Sequence, residues 1–67
     1  MDNIYNFLFT DENTGEDFIV EVEASNIYEA RKTAYEVAVA YFDEPKLIDE
    51  ITADEAECLG IDTYTEE

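Results

Sequence analysis

The sequence has no histidine, one cysteine, one proline, two glycines and only three basic residues. Each shortage excludes something. Without histidine the chain lacks the side chain that most readily serves as a general base near neutral pH. A single cysteine, Cys58, cannot form an intrachain disulfide, which fits a reducing cytoplasm. A nucleophilic Cys58 would need a cationic neighbour to lower its pKa, and Glu55 and Glu57 flank it instead. The expectation is therefore a small apolar residue on the inner side of a helix. With so few Lys and Arg, the chain cannot neutralise phosphates, so direct binding to nucleic acid or to an anionic membrane is excluded. No run approaches the ~18 apolar residues of a membrane span, and the polar start at Met1 shows no signal-peptide core.

What is present is acid. Nineteen Asp and Glu give a formal charge of −16 over 67 residues. Self-repulsion at that density opposes compaction, so selection for stability alone would not favour it. Yet 46% of the residues are hydrophobic, too many for a disordered acidic tail. The reading is one folded domain with a thin core. A chain of this size buries only about 60% of the surface it exposes unfolded. A single copy has no room for a deep substrate cavity.

The chain is organised around a helix expected over Asn26–Phe42. Ile27, Ala30, Ala34, Val37, Ala38 and Tyr41 share one stripe, and the alanines allow close approach to a sheet. Ser25 or Asn26 caps it, and Asn26 with Glu29 has capping-box spacing. Before it, Asn3–Thr10 and Asp17–Ala24 read as strands. In the second, Phe18, Val20, Val22 and Ala24 face one way, with Ile19 the exception to the alternation. Gly15 supplies the left-handed position of the turn between them. A four-residue loop Glu12–Gly15 sets Phe9 opposite Phe18, Phe7 opposite Val20 and Tyr5 opposite Val22. A three-residue loop would bury Ile4 and Leu8 instead. The first buries more apolar area and is preferred.

After the helix, Pro45 disfavours helical backbone at the residue before it. Lys46–Thr52 reads as a third strand. Thr52 with Glu55 is a capping box for a short helix Ala53–Leu59 ended by Gly60, and Ile61 is expected to pack back on it. Asp62–Glu67 reads as a polar tail. The expected fold is α+β, ordered β-β-α-β-α, a small antiparallel sheet with the main helix on one face.

No catalytic constellation, cofactor site or metal site emerges. Asp11-x-Asn13-x-Gly15-x-Asp17 faintly resembles a calcium loop. Its glycine falls one place early, and Val22 stands where the closing Glu should be. A hairpin turn is the plainer reading. Paired carboxylates alone do not suggest glycoside hydrolysis in a chain with no groove.

The acids have a pattern. Twelve of the nineteen stand in adjacent doublets: Asp11-Glu12, Glu16-Asp17, Asp43-Glu44, Asp49-Glu50, Asp54-Glu55 and Glu66-Glu67. From Asp43 onward ten acids oppose Lys46 alone, so the C-terminal part is the more concentrated. The candidate partner-binding residues are Asp43, Glu44, Asp49, Glu50, Asp54, Glu55 and Glu57. A Lys/Arg groove that grips phosphates reads no bases, so it cannot easily tell ordered carboxylates from a phosphate ladder. The plainer alternative is a solvated surface that only keeps the protein soluble. Tyr28, Tyr35 and Phe42 form a second stripe at seven-residue spacing. They either widen the core-facing side or offer aromatic contacts to a protein partner.

With these doublets and Glu57, the chain resembles small phage-encoded inhibitors, in particular anti-CRISPR proteins of the acidic DNA-mimic kind. The likeness is one of size, charge and compact one-sheet architecture, and those inhibitors share no common motif. The expectation is a cytoplasmic, non-enzymatic protein, a monomer rather than a dimer. It would need no cofactor, and the resemblance implies that it occupies the DNA-binding groove of a CRISPR effector; inhibitors of restriction enzymes and of nucleoid proteins act in the same way on other basic clefts, and the sequence does not choose among them. The second reading is a small acidic adaptor that binds through Tyr28, Tyr35 and Phe42.

Overall fold

The computed structural model describes residues 2–65. Its elements are β1 (Asn3–Asp11), β2 (Glu16–Ala24), α1 (Ile27–Tyr41), β3 (Pro45–Ile51), α2 (Ala53–Leu59) and β4 (Thr63–Thr65). They form an α+β fold with one four-stranded sheet in the order β3-β1-β2-β4.

The hairpin takes the four-residue connection. Phe9 pairs with Phe18, Phe7 with Val20 and Tyr5 with Val22. This register puts the aromatics under α1, because side chains alternate between faces and a slip of one residue would turn them all outward. Gly15 closes the turn at φ 77. Its N–H donates to the Asp11 carbonyl at 2.6 Å.

α1 lies on this face through Ala30, Ala34 and Ala38, all fully buried. Alanine leaves the backbone free to sit close over Phe7, Phe18, Val20 and Val22. Ile27 and Val37 are half-buried at its flanks. Tyr41, expected on the buried stripe, is 59% exposed. It is the last helical residue, and it leans on Tyr64 with ring centroids 5.0 Å apart. Asn26 is the N-cap, its Oδ1 accepting the Glu29 N–H at 3.0 Å. The Glu29 carboxylate does not close the box; it accepts the Ser25 hydroxyl at 2.7 Å.

The segment read as a polar tail contains a strand. Thr63–Thr65 pairs parallel to β2, so the sheet is mixed rather than wholly antiparallel. Tyr64 pairs with Val20 and points to the α1 face. There its ring meets Phe18 at 5.9 Å and Phe42 at 5.4 Å, both edge-on. Thr-Tyr-Thr suits a strand, with β-branched residues outward and an aromatic inward. Three residues among acids are too short a run for periodicity to register. Glu66 and Glu67 lie outside the described residues. Tyr64→Ala should cost about 2 kcal/mol, because it removes a half-buried ring and two edge contacts. Urea unfolding should show this as a lower midpoint; an unchanged midpoint would mean β4 adds nothing to the core.

The face away from α1 is also partly covered. Ile19, the exception to the alternation in β2, is fully buried there. Its partner across the hairpin is Leu8, which shares a cleft with Cys58 and Leu59 of α2. So α2 sits on the second face. Thr52 caps it by the expected reciprocal box, Glu55 N–H to Thr52 Oγ1 and Thr52 N–H to Glu55 Oε1, each 3.1 Å. Gly60 ends it at φ 66, and Ile61 is half-buried just beyond. Cys58, expected on the inner side, is exposed. A helix of seven residues covers little, and its outer turn leaves Cys58 at the cleft rim.

Candidate anionic edge

β3 is an edge strand, and the candidate acids lie within it and on the segments that precede and follow it. Asp43 and Glu44 precede it, Asp49 and Glu50 lie within it, and Asp54, Glu55 and Glu57 follow on α2. All seven are exposed.

The structure does not gather the seven onto one flat face. Asp49 pairs with Leu8, on the side of the sheet that carries α2. Asp49 and Glu55 line the same cleft there. Glu50 pairs with Phe7 and leaves the strand on the opposite side. A bulge in β3 between the partners of Leu8 and Phe9 turns the edge at this point. Asp43 and Glu44 stand at the far end of β3, against the hairpin turn. The acids therefore wrap around an edge.

Local bonding separates the freer carboxylates from those already engaged. Glu55 is an acceptor in the α2 cap. Asp49 Oδ1 accepts the Glu50 N–H at 2.8 Å, which also removes that donor from the open edge. Asp43 Oδ2 accepts the Asn13 side-chain amide at 3.4 Å. Lys46, the one base on this edge, lies 3.9 Å from Glu12, with both side chains more than half exposed. A pair so exposed is screened and contributes little. Arg31 and Lys32 are on α1.

Asp11 is the acid that the doublet pattern misplaces. It is 3% exposed. Its Oδ1 accepts the N–H of Asn13 at 3.0 Å and of Glu44 at 3.2 Å, and its Oδ2 accepts the Thr14 hydroxyl at 3.4 Å. The Glu12 N–H in turn donates to the Glu44 carbonyl at 3.0 Å. The turn is thereby stitched to the segment entering β3. Asp11 is scaffold, and it fixes where Asp43 and Glu44 stand. Its bonds are those of a hairpin turn. Among the described residues no group of three Asp, Glu, His or Cys is placed to hold a metal ion.

The aromatic stripe divides. Phe42 is taken into the core, stacked on Phe18 with centroids 3.8 Å apart. Tyr35 is 47% exposed, packs edge-on to Phe9 and donates its hydroxyl to the Pro45 carbonyl at 3.2 Å. Tyr28 stands in solvent, 76% exposed. The three do not make a continuous contact strip, because Phe42 follows the helix in extended backbone and turns inward.

Sequence reasoning passed over a group on the second face. Leu8, Ile48, Ile51 and Leu59 line a cleft of about 410 Å³ between the sheet and α2. Their signal was the alternation of β1, which turns Leu8 away from α1. Among the described residues no helix is long and apolar enough to cross a membrane. No protein-family model, curated protein or solved structure matches the chain.

Proposed function

We propose that this protein is a non-enzymatic inhibitor that blocks a nucleic-acid-binding protein, a CRISPR-Cas effector foremost, by occupying its basic groove in place of DNA. The observation that carries the reading is the run of exposed carboxylates along β3 and α2, with Lys46 the only base among them. No turnover is required; the mechanism is occupancy, in the cytoplasm, by a single copy. Fixed acids on a paired strand and a capped helix steer a basic groove and lose little conformational entropy on binding. The adaptor reading through Tyr28, Tyr35 and Phe42 is the weaker one, since Phe42 belongs to the core.

The test is capture of a partner at low salt, followed by competition with duplex DNA. Duplex should displace the protein, and affinity should fall steeply with salt. Two charge-reversal variants separate pattern from total charge. Asp49, Glu50, Asp54 and Glu57 changed to Lys should weaken binding by roughly a hundredfold or more, ~2.7 kcal/mol. Glu55 is left alone because it caps α2. Glu16, Asp17, Glu23 and Glu36 changed to Lys alter the net charge equally but lie off the edge, and should cost far less. Equal losses in the two variants would show that only total charge matters, and failure of duplex to compete would sink the mimicry.

A further inference from the structure

Mimicry of a phosphate ladder needs no apolar surface, yet this edge has one. The cleft beside β3 has Leu8, Ile48, Ile51 and Leu59 as its floor, and Ile48 and Leu59 are 53% and 49% exposed. In so small a chain, leaving these outside the core forgoes stability that burying them would supply. The rim carries Asp49 and Glu55, with Asp54 and Glu57 close by in sequence, and no base lines the cleft.

We infer that this cleft is a docking site for a cationic amphipathic protein segment, which seats an apolar side chain on Leu8, Ile48, Ile51 and Leu59 while its Lys or Arg residues pair with the carboxylate rim. Charge complementarity selects the occupant. An acidic segment would meet Asp49 and Glu55. A second copy of this chain would set like charges together at −16 each. DNA itself is excluded by sign. The carboxylates then govern the speed of encounter, and the apolar seat governs how long the partner stays. This inference rests on the inhibitor reading for its site, because it names what that edge grips.

The two can fail separately. The probe is a helical peptide of about sixteen residues with leucine on one stripe and lysine elsewhere. The control replaces each leucine by glutamine, keeping charge and helix propensity. The readout is the alkylation rate of Cys58, which is exposed and lines the same cleft. The leucine peptide should slow alkylation at least about fivefold and still do so at ~0.5 M salt, where the Debye length is only a few ångströms. The glutamine peptide should protect weakly at ~0.05 M salt and not at ~0.5 M. Ile48→Asn leaves the charge unchanged and alters an exposed residue, so the fold is kept, as circular dichroism would verify. It should abolish the high-salt protection. Equal protection by both peptides, protection by neither, or an Ile48→Asn protein that behaves as the parent would overturn the inference. Displacement by duplex DNA addresses the inhibitor reading independently. A partner released by duplex but indifferent to Ile48→Asn leaves that reading standing and removes this one. A partner lost with Ile48→Asn but untouched by duplex does the reverse.

Discussion

Phe18→Ala should remove a large part of the stability of the fold. Removing a fully buried phenylalanine costs roughly 3–5 kcal/mol. A chain of this length has ~3–10 kcal/mol in total, at ~0.05–0.15 per residue. Phe18 is also where three elements meet. Its ring stacks on Phe9 at 5.4 Å across the hairpin and on Phe42 at 3.8 Å beyond α1, and it takes the edge of Tyr64 from β4. The space left by alanine is bounded by aromatic rings, which cannot collapse into it without moving a strand or the helix end. The cost should therefore fall at the upper end of the range. Near-ultraviolet dichroism should lose its aromatic signal, and the thermal transition should broaden or vanish. Phe18→Leu, which keeps most of the volume, should lose far less. A Phe18→Ala protein melting within a few degrees of the parent would mean that this aromatic cluster is not the centre of the core.

Strand pairing, the main helix and the capped short helix were legible because each carries a local signal that agrees with the tertiary one. Phe18, Val20 and Val22 alternate, the alanines of α1 recur at helical spacing, and Thr52 with Glu55 bonds as its spacing implies. The four-residue hairpin loop could be chosen because the alternative register would have turned three aromatics into water. What escaped was set by partners distant in sequence. Tyr64 is a strand residue because Val20 is beside it, and Thr63–Thr65 alone has no period to detect. Tyr41 and Phe42 are neighbours, and the end of the helix between them reverses their fates: Tyr41 leans outward and Phe42 stacks inward. Cys58 is exposed because α2 covers only part of the second face. The candidate acids were found as doublets. Their wrapping around the β3 edge depends on strand alternation and on the bulge, neither of which doublet spacing encodes.

Asp11 joins the scaffold to the anionic edge, and its removal should be the most damaging change to any acid among residues 2–65. In sequence it is one of a doublet of carboxylates. In the fold it is buried and accepts three hydrogen bonds, two of them from backbone N–H groups. Asp11→Ala would leave the Asn13 and Glu44 donors without their acceptor in a part-buried site. Orphaned donors cost ~1–3 kcal/mol each, so a loss of about 2–4 kcal/mol is expected. For a domain this small that corresponds to a fall in melting temperature of at least about 10 °C. Asp11→Asn retains an acceptor oxygen at the Oδ1 position and should recover half or more of the loss, so geometry can be told from charge. Amide hydrogen exchange at Asn13 and Glu44 should accelerate in the alanine protein before exchange in the core does. The Glu12-to-Glu44 backbone bond should weaken with it, releasing Asp43 and Glu44 from their fixed place at the end of β3. Partner affinity should then fall in Asp11→Ala beyond what one missing charge explains, since a loose carboxylate must be ordered on binding. If Asp11→Ala melts with the parent, the stitch between turn and edge adds no stability. If it melts early yet binds undiminished, Asp43 and Glu44 lie outside the contact, and the anionic edge reduces to Asp49, Glu50 and α2.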